Sequence, residues 1–433
     1  MTKIKPFNAI VYNQQNFKDL SAVVCPPYDV ISPLKQQYYH DINPYNFIHI
    51  LLGKDITGED KYRRAKDYFN SWLKNKVLIQ EEKSAIYFYS QQFNLKGEKR
   101  IRLGFIALLH LENKRPSVFG HERTRLESKE DRLRLLRQVK ANLSPIFVIF
   151  SDRKRIIQRI YQQCVLGNKP YIDIVDDDKV IHKLWRIEGP EILTSITSSM
   201  AEENIFIADG HHRYEVACNY QEEMKKKQGA ITGDERFNYI LAYFTDAASR
   251  GLMILPIHRL VKLDYPLVAE NFREGLKEYF AVEEVKDKNR FFFLMEKAGR
   301  AEHILGMYQD KKYWLLRLKN IKILDKMIGD KPHEYRSLDI AILNYLVLRK
   351  ILGLDLENKD RITFSTNADE LIEQVDNSRS YIACFLNPVK VEQIMSVALT
   401  GEKMPSKSTY FYPKVLSGLV INKFNEATTY GAK

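Results

Sequence analysis

Apolar and polar residues alternate in short runs along most of the chain, and stretches with helical spacing fall between those runs. This rhythm predicts an α/β protein of mixed α+β character, built on mixed sheets. "SAIYFYSQQF" (Ser84 to Phe93) and "RIRLGFIALLHL" (Arg100 to Leu111) flank the turn-forming "NLKGEK" and read as an antiparallel hairpin. The charged stretch from His121 to Pro145 has a helical middle: Glu130 and Arg134 form an i,i+4 pair, and Leu133, Leu136 and Val139 lie close to one face. Pro145 ends it, and "IFVIF" (Ile146 to Phe150) reads as a buried strand. Further on, "NIFIAD" (Asn204 to Asp209) is β-prone. "HHRYEVACNYQEEMKKKQG" then takes helical spacing, with Gly229 as its stop.

The longest apolar candidate, "SLDIAILNYLVLRKILGL" (Ser337 to Leu354), is broken by Asp339, Asn344, Arg349 and Lys350. It reads as a buried helix, since a membrane span needs ~18 uninterrupted apolar residues. "PLVAENFREGLKEYF", "RFFFLM", "AEHILGMYQ" and "KYWLLRL" form their own helix and strand series. They suggest an inserted α/β subdomain at 264–330 within a main unit of 1–263 and 331–433 that carries the motifs.

Composition adds a core and a charge. The chain has 433 residues, 45% hydrophobic and 12% aromatic, enough for a sizeable packed interior. Its formal net charge of +12 favours anionic partners: nucleic acid, a nucleotide or a small phosphorylated metabolite. The basic residues are dispersed, and the triplet Lys225 to Lys227 sits where a helix C-terminus favours positive charge. Nucleic acid is therefore not the expected partner. Four scattered cysteines without a C-x-x-C pair argue against a disulfide framework and a thiolate zinc site. The N-terminal "MTKIKPFNAIVYN" has no signal-peptide pattern, so the expected location is cytoplasmic.

The densest chemistry is "IADGHHRYE" (Ile207 to Glu215), at a strand-to-helix turn. Gly210 permits tight geometry or close approach of a ligand. The helix N-terminus offers unpaired N–H groups and partial positive charge to an anion, and His211, His212 and Arg213 add donors in the first turn. Either histidine can act as acid or base. Asp209 conflicts with a phosphate, unless a divalent metal or a protonated histidine bridges the two; it can equally cap the helix. Adjacent histidines point about 100° apart on a helix, which disfavours a zinc site made by them alone.

"HERTRLE" offers His121, Arg123 and Arg125 for phosphate binding and Glu122 as a second base. "EKMPSKSTYFYPK" offers Lys407, Ser408 and Thr409, along with Lys403 and Lys414, while its aromatics are expected in the core. In "PPYDV" and "NPYNF", Asp29 is a candidate catalytic carboxylate, and Tyr28 and Tyr45 are expected to pack. "LPIHRL" reads as a strand, placing His258 and Arg259 on opposite faces.

"ADGHHRYEVA" resembles the phosphate-binding turn of the ParB and sulfiredoxin superfamily, which includes free serine kinases. A cysteine stands at the position of His211 in sulfiredoxin, so sulfinic acid repair is not implied. Across nearly the whole chain, "CPPYDVIS", "NPYNFIHI", "HERT", "ANLSPIF", "ADGHHRYE", "LPIHRL" and "GEKMPSKSTYFYPKVLSGLV" occur in the order of a widespread bacterial and archaeal domain-of-unknown-function family. The resemblance implies serine or phosphoserine chemistry by association. The expected function is phosphoryl transfer on a small hydroxy or amino acid, with Mg²⁺ and ATP or ADP as expected cofactors, in either direction. A ParB-like nucleotide- or DNA-binding module and a noncatalytic scaffold are the competing expectations.

Overall fold

A computed structural model describes residues 1–112, 117–228, 233–263, 269–355 and 361–424. The chain divides into two compact units: Met1–Gly120, Thr124–Met253 and Pro413–Lys433 form the first, His121–Arg123 and Ile254–Tyr412 the second. The stretch 264–330, expected as an insertion, lies within the second unit, which also takes up 331–412. Residues 264–268 and the expected helix stop Gly229 lie outside those described.

The first unit is built on a nine-stranded mixed sheet. Its strands are β1 (Ile4–Lys5), β2 (Ile86–Leu95), β3 (Glu98–His110), β4 (Val118–Gly120), β5 (Ile146–Phe150), β6 (Ile172–Val175), β7 (Ile181–Ile187), β8 (Ile205–Asp209) and β9 (Tyr239–Asp246). Their order is β4-β8-β5-β9-β3-β2-β7-β6, with β1 paired to β3. β4 runs parallel to β8, and β5 parallel to β9; the other pairs are antiparallel.

The expected hairpin is β2–β3, and its two-residue turn has positive φ at Lys96 (51°) and Gly97 (80°), which suits the right-handed strand twist. All five residues of β5 are buried, as a strand covered on both faces requires. Helix α1 (Leu126–Val139) and helix α2 (His211–Gln228) pack through Leu136, Val216 and Tyr220, and the expected Glu130–Arg134 pair closes at 2.8 Å.

The second unit holds a six-stranded sheet of β10 (His258–Lys262), β11 (Phe280–Val285), β12 (Ile304–Gln309), β13 (Lys312–Leu318), β14 (Ile362–Ser365) and β15 (Tyr381–Phe385). All five of its pairings are antiparallel. Helices α3 (Lys288–Ala298) and α4 (Ala368–Asn377) cover a core that includes Phe291, Leu315, Leu371 and Phe385. The segment from Ser337 is helical and largely buried, and among the described residues no helix is long and apolar enough to cross a membrane.

Candidate functional site

The apolar run Ile205–Ala208 locks β8 between β4 and β5, and the register against β5 shifts between Ile207 and Asp209. The strand therefore breaks at Asp209. Gly210 follows with φ +91°, and a Cβ there would meet the Arg213 guanidinium at 3.0 Å. No other residue type fits that turn without strain. The Tyr214 N–H then donates to the Gly210 carbonyl at 3.0 Å and α2 begins, leaving the N–H groups of its first turn without intrahelical acceptors.

Asp209 is not a helix cap. Its Oδ1 accepts from Lys414 Nζ at 2.7 Å and its Oδ2 from Arg213 Nη2 at 2.8 Å. All three side chains are largely buried, between 11% and 16% exposed. Arg213 Nη1 also donates to the Pro145 carbonyl, tying the turn to the start of β5. Burial alone would raise the Asp209 carboxyl, but Lys414 and Arg213 outweigh it and hold the group well below the ordinary carboxylate range. Fully buried Arg102 lies within electrostatic reach of the same carboxylate. Asp209 thus faces three cations, and the cluster carries an excess of positive charge.

The Asp209 carboxylate is compensated by the Lys414 ammonium and the Arg213 guanidinium. Among the described residues, no group of three or more His, Cys, Asp or Glu side chains is placed to hold a metal ion.

Around α2 a second layer forms. His212 Nε2 accepts the Arg125 backbone N–H at 2.9 Å, so the neutral ring carries its proton on Nδ1. Burial lowers the His212 pKa, against Asp29 and Glu215, which raise it. Glu215 accepts from the Thr124 hydroxyl at 2.6 Å and from Lys129 Nζ at 3.1 Å. Tyr28 packs as expected, with the Arg132 guanidinium 4.3 Å over its ring. Burial pushes the Tyr28 phenol up to about 12. Beside these groups lies a cavity of about 60 Å³, lined in part by Tyr28, Arg132, Ser144 and Arg213. Asp29 is exposed and His211 is buried.

Other expected site residues belong to the second unit. There His121 Nε2 and Thr409 Oγ1 are 3.1 Å apart, and the His121 carbonyl accepts the Met404 N–H at 2.7 Å. Glu122 forms a parallel bridge with Met404, and Arg123 is exposed. Lys407 is exposed with φ +57°, its carbonyl held by buried Arg259 at 3.0 Å, and the Ser408 hydroxyl donates to the Pro405 carbonyl. The strand expected over "LPIHRL" begins only at His258, and both His258 and Arg259 are buried in it. Of "HERTR", then, His121–Arg123 stand with 407–409 in the second unit, while Thr124 and Arg125 stand with the histidine turn in the first.

Of the lysines in "EKMPSKSTYFYPK", it is Lys414 and not Lys407 that meets Asp209. The available signal was a single lysine inside the apolar run "FYPKVL", because a buried ammonium requires a partner.

The family model for the protein of unknown function DUF1015 matches residues 4–341. The chain belongs to the DUF1015 family. No curated protein matches this DUF1015 chain. Among solved structures, a free serine kinase in complex with AMP is similar at 13% identity and a TM-score of 0.33, covering 69% of this chain and 88% of that one. SbnI with a C-terminal truncation, from Staphylococcus aureus, is similar at 11% identity and a TM-score of 0.35, covering 73% and 86%. A conserved hypothetical protein from Pyrococcus furiosus is similar at 13% identity and a TM-score of 0.31, covering 69% and 89%.

Proposed function

We propose that this protein transfers a phosphoryl group between a nucleotide and the hydroxyl of a small hydroxy or amino acid, with serine and phosphoserine as the first compounds to test. The carrying observation is the excess of positive charge at the N-terminus of α2: Arg213 and Lys414 bound to Asp209, with Arg102 behind them. A phosphate at the first turn of α2 balances that charge and accepts the N–H groups there. Arg213 offers a planar fork and Lys414 a point charge, and both stabilise the charge that gathers on the phosphoryl oxygens during transfer.

In the forward direction the substrate oxygen forms a bond to phosphorus, the bond to the nucleotide oxygen breaks, and the hydroxyl proton leaves to a base. Asp29 is our candidate base, as the exposed carboxylate that acts on His212. His212 serves as a donor through Nδ1, because Nε2 is occupied by Arg125. His211 completes the first turn. Mg²⁺ would enter with the nucleotide as part of the substrate. His121, Glu122, Arg123, Lys407, Ser408 and Thr409 form a second polar group within the second unit.

Phosphorus NMR of the protein with Mg²⁺, serine or phosphoserine, and ATP, ADP or pyrophosphate tests the reading. The expected result is gain or loss of the phosphoserine signal, abolished by Arg213→Ala and by Lys414→Ala. Turnover unchanged in both variants would remove the site assignment. Absence of turnover with every pair would remove serine as the substrate.

A further inference from the structure

Lys414 lies beyond residue 341, where the family match ends, and it reaches Asp209 across 205 positions of sequence. What fixes the backbone on either side of it is polar and buried. Tyr89 and Gln91 are two residues apart on β2, hence on one face of the strand, and Arg102 on β3 is the cross-strand partner of Gln91. All three are fully buried. Arg102 Nη2 donates to the Pro413 carbonyl at 2.5 Å, and Gln91 Nε2 donates to the Lys414 carbonyl at 2.8 Å. Arg102 Nε donates to Gln91 Oε1 at 3.1 Å, locking the two side chains together, with Phe147 4.5 Å from the guanidinium. Tyr89 lies beside this pair, on the same strand as Gln91. Its hydroxyl is 2.6 Å from His182 Nδ1, and His182 Nε2 meets Asp176 at 2.9 Å.

The hairpin β2–β3 therefore grips two consecutive backbone carbonyls, those of Pro413 and Lys414. An apolar face would avoid the desolvation cost of a guanidinium and an amide, but would leave the Pro413 and Lys414 carbonyls without donors. Polar groups add register: each carbonyl has one place to sit, and the Lys414 ammonium follows from it.

We propose that Arg102, together with Gln91, is a positioning residue for the anion site, holding residues 413–414 in the register that places Lys414 on Asp209. Its consequence for phosphate rests on the function proposed above; its geometric content does not.

The test is competitive acetylation of the full-length protein with acetic anhydride, with each lysine read by mass spectrometry and orthophosphate absent or present. In the wild type, Lys414 labels slowly and orthophosphate slows it further. Arg102→Met and Gln91→Met are expected to raise Lys414 labelling roughly three- to tenfold, the worth of one or two hydrogen bonds. Both are expected to abolish the orthophosphate protection and to leave Lys129, paired with Glu215, unchanged. Arg102→Lys keeps the charge but cannot span Gln91 and Pro413, so it should behave like Arg102→Met.

Wild-type labelling of Lys414 in folded Arg102→Met and Gln91→Met overturns the proposal, as does a uniform rise at every lysine. If Arg102→Met does not fold, the neutral Gln91→Met exchange decides alone. Loosened Lys414 in the variants without orthophosphate protection in the wild type sustains the clamp and removes the phosphate reading.

Discussion

Gly210 joins strand to helix at φ +91°, and a Cβ there would press on the Arg213 guanidinium. Gly210→Ala strains the backbone and displaces the guanidinium from Asp209 in one change. It is expected to cost about 1–3 kcal/mol in urea unfolding, the usual cost of a forced backbone outlier. Asp209→Asn probes the same cluster from the charge side. It leaves Lys414 and Arg213 largely buried without their carboxylate, and is expected to lower stability by about 3 kcal/mol. Because an anion can then replace the lost charge, orthophosphate should raise the melting temperature of the variant more than that of the wild type. Equal shifts in the two proteins would deny the turn an anion.

At the scale of elements, α1 and α2 are joined by an apolar seam and by the polar ties from Arg125, Thr124 and Lys129 to α2. The tie to His212 titrates. Its folded value is depressed, so above the unfolded value of about 6.5 both states are neutral and the tie contributes in full. As pH falls below that value toward the folded one, the unfolded chain takes a proton that the folded chain refuses, and stability is lost. His212→Gln keeps an acceptor for the Arg125 N–H and removes the titration. Its unfolding free energy should therefore fall less than that of the wild type between about pH 7.5 and 5.5, as followed by urea denaturation. His40 and His258, both lowered by burial to about 4, remain in the two proteins and cancel in the difference.

The strand, the turn and α2 were readable in the sequence because alternation, a glycine and helical spacing report local geometry. The hairpin β2–β3 was readable for the same reason. The contacts of Lys414 with Asp209 and of Arg102 with Pro413 were not: they span 205 and 311 residues and leave no local period. Nor does any periodicity announce that three residues, His121–Arg123, belong to a different unit from Thr124.

The whole molecule carries a formal charge of +12, which favours any polyanion, so charge alone does not separate a small-molecule enzyme from a nucleic-acid binder. Salt does. Binding to DNA through dispersed surface lysines and arginines releases counterions, and six or more phosphate contacts cost about 10³-fold or more in affinity between 50 and 200 mM salt. The cations on Asp209 are only 11% and 12% exposed, and buried pairs are screened far less than surface charges. Titration calorimetry with ADP or orthophosphate should therefore show an affinity change below about tenfold over the same range of salt. Fluorescence polarisation with a duplex oligonucleotide should show only weak, steeply salt-dependent binding. A steep loss for the small anion would move the binding site from the buried turn to the protein surface. Duplex affinity that survived 200 mM salt would instead favour the DNA-binding alternative, because it would require contacts beyond counterion release.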